Sequence, residues 1–237
     1  MKIAFVLLLC SAATAIAAGS LFPQPLHLVK RIDDPLAAKP ITVDEYCYGN
    51  RIVTVSGDRV AIADYAEQQI TEIDHGKGTW SITRFDEIAK TKPPANDLAV
   101  KSALKINALG MRGALDSYEM SVAGATIAVG IDRSVSLSRD AVEALIGAAY
   151  PNPRRAEHEP LLRAAKSRDV VYGLPREQSI TYATENGDVT LHTSVTRVDR
   201  DVPPPAILLI DPGATRVESH LARLARELRE ADSLPRR

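Results

Sequence analysis

The sequence predicts a single α+β domain built on a long, meandering antiparallel sheet, with two inserted helices and one C-terminal helix. Three observations predict this fold class. About nine or ten short runs alternate between apolar and polar residues, as half-buried strands do. Glycine-containing turns join most of these runs in hairpin order, and few segments have helical spacing. The 237 residues are 45% hydrophobic and 25% charged, a globular composition that decides against disorder.

The hairpins are predicted from alternation and from turn residues. Gly57-Asp58 separates one alternating pair of runs, and His75-Gly76-Lys77-Gly78 separates the next pair. Runs of period two resume within residues 104–131. Asn186-Gly187 marks the last hairpin and is the most specific turn signal in the chain. We expect one face of this sheet to be buried and the other to be solvated.

Helical spacing occurs in three segments. Ser138 can cap a helix over residues 139–149, where apolar residues recur every three or four positions. A second helix is predicted over residues 154–167, although Pro160 lies inside it, and a third is predicted over residues 215–231, which carries an apolar stripe. An apolar strand is predicted over residues 206–210, after a run of three prolines.

The chain begins with the pattern of a secretory signal peptide. Lys2 precedes a short apolar run, and small residues follow up to Ala18. A transmembrane helix is the alternative, but the run is well short of the ~20 apolar residues that a span needs. We therefore expect cleavage near Ala18 and a periplasmic or secreted protein. The predicted organisation is a signal peptide over 1–18, an extended lead-in over 19–42 that contributes little to the core, and one domain over 43–237.

The two cysteines are predicted to have no catalytic role. Cys10 would be a lipidation site only if the apolar run were cut very short, and Leu9 precedes it. Cleavage near Ala18 leaves Cys47 alone, so no intramolecular disulfide can form. We interpret Cys47 as a small buried hydrophobe, since a catalytic thiol needs a histidine and a base placed beside it.

Charge and motifs exclude several classes of function. The 29 basic and 30 acidic residues give a net charge of −1, so no nucleic-acid partner is expected. Glu157-His158-Glu159 is the densest group of potential ligands, but three consecutive helical residues point in different directions. We find no phosphate loop, no dinucleotide fingerprint and no Gly-x-Ser-x-Gly elbow. The sequence therefore predicts no metal, no cofactor and no enzymatic activity. The histidines, none with metal-ligand spacing, are His27, His75, His158, His192 and His220.

Three stretches resemble uncharacterised secreted bacterial envelope proteins and, more distantly, the LolA/LolB-like carriers and the RseB-like sensor domains. They are residues 59–88, the Leu174-Pro175-Arg176-Glu177-Gln178 segment before the last hairpin, and Ile210-Asp211-Pro212-Gly213-Ala214. The resemblance implies a curved antiparallel half-barrel that is closed by helices. It also implies a concave face that binds acyl chains or a partner lipoprotein.

Two sets of apolar residues are candidates for such binding. The first set comes from the apolar positions of the predicted strands, which line either a ligand cavity or a filled core. It comprises Val60, Ile62, Trp80, Ile82, Tyr118, Met120, Val129 and Leu191. The second set is the stripe of the C-terminal helix, which docks either a partner or the protein's own sheet. It comprises Val217, Leu221, Leu224 and Leu228.

Three hypotheses of function follow from these features. The first is a periplasmic, non-enzymatic carrier of a lipid, a lipoprotein or another apolar ligand. The second is an envelope interaction or stress-sensor module, in which the terminal helix or an open edge strand docks a protein partner. The third is a hydrolase that uses Cys47 or a histidine such as His192.

Overall fold

The described residues form one large, mostly antiparallel sheet with few helices. The computed structural model describes residues 19–35, 37–90, 105–122, 125–149, 173–184, 187–219, 222–223 and 226. The described strands are β1 (Phe22–Asp33), β2 (Ile41–Gly49), β3 (Arg51–Ser56), β4 (Arg59–Asp64), β5 (Gln69–Asp74), β6 (Thr79–Arg84), β7 (Lys105–Arg112), β8 (Leu115–Val122), β9 (Ala125–Asp132), β10 (Leu174–Thr184), β11 (Gly187–Asp199) and β12 (Thr215–Arg216). Their order across the sheet is β12-β6-β5-β4-β3-β2-β1-β11-β10-β9-β8-β7. The helices assigned among these residues are α1 (Phe85–Lys90), α2 (Arg139–Ala149) and α3 (Pro205–Leu208).

The local hairpins lie where the sequence predicts them. β3 pairs with β4 across Gly57-Asp58, and β5 pairs with β6 across residues 75–78. Gly57 and Gly78 have φ angles of 58° and 60°, which explains why glycine occupies both turns. β10 pairs with β11 up to Thr184 and Gly187. The prediction of a sheet-dominated, antiparallel fold is therefore confirmed.

The prediction that the lead-in contributes little to the core is wrong. β1 lies in the middle of the sheet, between β2 and β11, and buries Phe22, Leu26 and Leu28 almost completely. Two of the four prolines in the predicted extended lead-in, Pro23 and Pro25, lie where the β1–β2 register shifts. Proline lacks a backbone N–H, so an interruption of the ladder is where a strand tolerates it.

Helix α2 packs on one face of the sheet, which we call the helix-side face. The helix begins as predicted, because the Ser138 hydroxyl accepts the Ala141 N–H at 3.1 Å. Its buried residues, Ala141, Ala144 and Leu145, join a cluster with sheet residues that define this face. Those sheet residues include Leu26, Cys47, Ile52 and Ala63.

On the opposite face, Ile207 and Leu208 pack against the sheet; they belong to residues 200–217, which we call the strap. This strap-side face is defined by Val53, Val60 and Ile73, which form a separate buried cluster. The predicted strand over 206–210 is wrong, since residues 205–208 form α3. Three successive prolines precede or begin this turn, and proline is tolerated at the first helical position because its missing N–H needs no partner there.

The C-terminal helix begins later than residue 215. Thr215 and Arg216 form β12, which pairs in parallel with β6. The helical turn begins at Ser219, whose hydroxyl accepts the Ala222 N–H at 2.9 Å and whose carbonyl accepts the Arg223 N–H at 3.0 Å. The prediction therefore misplaced the start of this helix, because the backbone of residues 215–217 bonds to the edge of β6 instead.

Other predictions fall on residues outside the described ranges. These are the signal peptide over 1–18, the second helix over 154–167 and the Glu157-His158-Glu159 group. Within the described part of the chain, no helix has both the length and the apolar character to cross a membrane.

Candidate functional site

The eight predicted cavity residues do not share one face of the sheet. In the β4–β6 ladder, Val60 pairs with Ile73, which pairs with Trp80. Ile62 is linked through Thr71 to Ile82 in the same way. Because directly paired residues point to the same side of a sheet, the first four predicted residues all lie on the strap-side face.

Three of the other four predicted residues, Tyr118, Val129 and Leu191, belong to the helix-side face. Leu191 lies on β11 four positions before Val195, which packs in the cluster of Cys47 and Ile52. Side chains four residues apart on a regular strand share a face. Leu191 pairs with Ile180, Ile180 with Ile127 and Ile127 with Met120, while Tyr118 pairs with Val129. The interpretation of all eight residues as one concavity is therefore wrong, since the sheet carries apolar residues on both sides.

The strap-side face holds an apolar layer between the sheet and the strap. Val53, Val60 and Ile73 are almost completely buried there, whereas Ile62 and Trp80 are half-buried. Ile207 and Leu208 of α3 pack against them from above. The layer consists of Val, Ile, Leu and aromatic side chains, which offer no charged group to a polar ligand. Its chemistry suits an apolar ligand or a simple core.

The strap is attached through its backbone and through one cation–π contact. The Ile207 carbonyl lies 3.0 Å from His75 Nε2. The Thr215 N–H donates to the Gly78 carbonyl at 2.8 Å, and the Val217 N–H donates to the Trp80 carbonyl at 2.8 Å. The Arg216 guanidinium lies 5.3 Å from the centre of the Trp80 ring. These contacts join the strap to the β5–β6 hairpin.

The outer surface of the strap is also apolar. Val217, the one predicted partner-binding residue in the described part of that stripe, is 44% exposed. Leu221, Leu224 and Leu228 lie outside the described residues. The exposed large apolar side chains of the strap are Val202, Leu209, Ile210 and Val217.

Three aspartates lie around one buried histidine at the root of the strap, where the strap leaves β11. His27 is buried, with Nδ1 2.8 Å from Asp199 Oδ1 and Nε2 2.8 Å from Asp44 Oδ1. Its ring stacks on Tyr46 at 4.1 Å between centroids. Asp201 lies beside Asp199, and its N–H donates to Asp199 Oδ1 at 3.2 Å. We call His27, Asp199 and Asp201 the strap-root cluster.

Asp199 is held in its ionised form. Burial taken alone raises its pKa, and this is the largest single effect. Hydrogen bonds from the Asp201 N–H and from His27, together with the charges of His27 and Arg197, outweigh it and lower the pKa below its usual value. Arg197 Nε lies 3.0 Å from Asp199 Oδ2.

No local sequence pattern indicates the strap-root cluster. His27 lies on β1, and Asp199 lies 172 positions later at the end of β11, so no local spacing connects them. The signal that remains is weak. It consists of a histidine between two leucines and an Asp-Arg-Asp segment before a proline run.

The helix-side face buries a cysteine and an ion pair. Lys30 Nζ lies 2.5 Å from Glu45 Oε1, and both side chains are largely buried. Burial, and then the negative charge of Glu45, raise the pKa of the Cys47 thiol well above its usual value. The interpretation of Cys47 as a buried hydrophobe is confirmed. A buried thiol with a raised pKa is the opposite of an activated nucleophile.

His192 contacts a serine on the neighbouring strand. Its Nδ1 lies 3.0 Å from Ser179 Oγ, and the two residues pair across β10 and β11. The contact joins two side chains within one ladder and places neither of them beside Cys47.

Comparisons with known proteins identify no family for this chain. No family model matches it, and no curated protein matches it in sequence. Among solved structures it is similar to PNGF-II in a C2 crystal form, with a TM-score of 0.41 and 9% identity over 86% of this chain and 32% of that chain. It is also similar to an uncharacterised conserved protein from Thermus thermophilus, with a TM-score of 0.43 and 10% identity over 83% and 91% of the two chains. The chain spans about a third of the length of PNGF-II. Likenesses of this size indicate neither a family nor a function.

Proposed function

We propose that this chain is a non-enzymatic binding protein of the bacterial envelope, and that it holds a lipid acyl chain between the strap and the strap-side face. The observation that carries the proposal is the apolar layer under the strap. Val53, Val60 and Ile73 form its floor, and Ile207 and Leu208 form its roof. A chain inserted between floor and roof would be buried on both sides.

The energetics of this layer favour an acyl chain. Each CH2 group that leaves water contributes about 0.8 kcal/mol, so six to eight buried groups would contribute about 5–6 kcal/mol to binding. Arg216 adds a positive charge at the margin of the layer, beside Trp80. An anionic headgroup next to this guanidinium would complement its charge.

Localisation and family are part of the same proposal. Cleavage of residues 1–18 as a signal peptide would deliver the protein to the envelope, where acyl chains of lipids and lipoproteins are abundant. The resemblance of residues 59–88 to envelope proteins supports a LolA-like half-barrel. The long one-sheet architecture, in which β7 and β12 are the two outermost described strands, is compatible with that fold.

Trp80 allows a direct test, because it is the single tryptophan of the chain and lies in the layer. Titration with palmitate should change the Trp80 emission saturably. Leu208→Ser, which makes the roof polar, should weaken binding by tenfold or more. Met111→Ser is the matched control, since Met111 is 63% exposed on β7, away from the strap.

Two results would contradict the proposal. One is an emission that stays unchanged up to the solubility limit of palmitate. The other is an equal loss of binding in Leu208→Ser and Met111→Ser. Mass spectrometry of a solvent extract from natively purified protein gives an independent measurement, in which a stoichiometric acyl lipid is the expected finding.

One observation favours the interaction-module alternative. Among the described strands, β7 has a partner on one side only, and its Leu109 and Met111 are 41% and 63% exposed. An exposed apolar edge strand can accept an extended segment of another protein by β-augmentation. A photo-crosslinker at position 111 that forms one defined adduct in the envelope would support this mode, provided that a crosslinker at exposed position 188 forms none.

A further inference from the structure

In the strap-root cluster, more hydrogen-bond acceptors face the His27 ring than a neutral ring has donors for. His27 presents Nδ1 to Asp199 and Nε2 to Asp44, both at 2.8 Å. A carboxylate only accepts hydrogen bonds, and a neutral imidazole can donate from one nitrogen only. Two protons on the ring would satisfy both carboxylates, and a metal ion bound to one ring nitrogen and its carboxylate would do the same.

The side chains on the Nδ1 side of the ring match a metal-ligand set. One ring nitrogen of His27 and one carboxylate oxygen each from Asp199 and Asp201 lie within 4.8 Å of one another, and Nδ1 is the nitrogen that faces Asp199. On the other side of the ring, Asp44 is placed to accept the Nε2 hydrogen. A carboxylate in this position fixes the tautomer and the orientation of histidines that bind metals through their other nitrogen.

The charges around the cluster also favour a divalent cation. Three carboxylates, those of Asp44, Asp199 and Asp201, surround one imidazole. Arg197 is the basic side chain that contacts Asp199, and its own side chain is 60% exposed to solvent, which screens its charge. A divalent ion would reduce the repulsion between Asp199 and Asp201.

We propose that His27 Nδ1, Asp199 and Asp201 form a site for a divalent transition-metal ion of the Zn²⁺ type. Imidazole nitrogen combined with carboxylate oxygen suits Zn²⁺ better than Mg²⁺, which prefers oxygen ligands alone. Exposed Asp201 places the site at the surface, so water can complete the coordination. The ion would tie the first residues of the strap to β1 and β11. This site is independent of the acyl-chain proposal.

Calorimetric titration of the full chain with ZnCl₂ tests the site. The parent should bind one Zn²⁺ per chain, and Asp201→Asn should weaken that binding at least tenfold. Asp188→Asn is the matched control, because Asp188 is an exposed aspartate on β11 outside the cluster. MgCl₂ should show no saturable binding. His27→Gln should also abolish binding, and Asp201→Asn keeps the test valid if the buried His27 variant fails to fold.

Thermal melting supplies a second readout. Since the ion would bind the folded state, Zn²⁺ should raise the Tm of the parent and of Asp188→Asn but not that of Asp201→Asn. The proposal is overturned if the parent binds no Zn²⁺. It is also overturned if Asp201→Asn binds Zn²⁺ as tightly as Asp188→Asn, because the ion would then be held by surface histidines elsewhere. In either case a second proton on the His27 ring satisfies both carboxylates.

Discussion

Asp64 shows how a single side chain stabilises two elements at once. Its Oδ1 accepts the N–H groups of Ala66 and Glu67 at 3.0 Å, and its Oδ2 lies 2.7 Å from Arg51 Nε. Burial alone raises the pKa of Asp64 and is the largest effect. The hydrogen bonds from Glu67, Arg51 and Ala66 outweigh it and hold the pKa below its usual value.

The stability that Asp64 supplies should therefore depend on pH. Its folded-state pKa is lowered, so the contribution is complete above the usual aspartate pKa of about 4 and is lost as the pH falls through the lowered value. We expect Asp64→Ala to lower the free energy of unfolding by about 1–3 kcal/mol at pH 7. The loss should shrink near pH 2. Urea denaturation at both pH values measures this, and an equal loss at both would contradict the assignment.

Cys47 should be chemically silent in the folded protein. It is fully buried, and its pKa is raised by desolvation and then by Glu45. We expect N-ethylmaleimide to leave the Cys47 peptide unlabelled in native buffer and to label it completely in urea, as read by mass spectrometry. Labelling in buffer at the rate seen in urea would show that the helix-side face opens readily.

At the scale of elements, helix α2 depends on its cap. Ser138→Ala removes the acceptor of the Ala141 N–H and should lower the free energy of unfolding by about 1 kcal/mol. Ser136→Ala is the control, since Ser136 is exposed and precedes the helix. Chemical denaturation compares the two variants, and equal stabilities would mean that the cap contributes nothing.

The end of the strap depends on two backbone hydrogen bonds to β6 and its turn. Val217→Pro removes the N–H that donates to the Trp80 carbonyl, whereas Val217→Ala keeps it. We expect acrylamide to quench Trp80 more strongly in Val217→Pro than in Val217→Ala, because the strap would lift from the ring. Identical quenching in the two variants would show that the remaining contacts, those of the Thr215 N–H and of Arg216, are sufficient to hold this end.

At the scale of the whole molecule, β1 pairs with β11, although the two strands lie far apart in the sequence. His27 and Asp199 are paired although 172 positions separate them. Closing such a long loop costs chain entropy before the contact returns any energy, so sheets with distant pairings fold slowly. Stopped-flow refolding followed by Trp80 fluorescence should be complete in milliseconds to seconds or later. A full amplitude within microseconds would contradict this expectation.

How far the sequence predicts the fold depends on the range of the interaction. The β3–β4 and β5–β6 hairpins and the Ser138 cap were predictable, because each is determined by residues within about ten positions. The start of the C-terminal helix was not, since Thr215 bonds to Gly78, which no local pattern indicates. The same limit applied to β1, which was predicted as an extended lead-in outside the core, because its partners β2 and β11 are not indicated by its own residues.

The same distinction between local and distant interactions applies to the candidate sites. The apolar identity of Val60, Ile62, Trp80 and Ile82 was readable from their alternation, and so was the buried character of Cys47. Alternation shows which residues share a face within one strand. It does not show which face of the strands before residues 85–104 continues into the strands after them. The residues of β8, β9 and β11 were therefore assigned to the wrong side.

By itself, the sequence determined the class of the fold, its local turns, the α2 cap and the apolar character of the strands, because these follow from interactions between near neighbours. Only the tertiary structure decided that each face carries a buried cluster and that Ile207 and Leu208 of the strap pack on one of them. It also brought His27 together with Asp199 and Asp201. Those features depend on pairing between distant strands, where the free energy comes from burial and register across the whole sheet rather than from any local pattern.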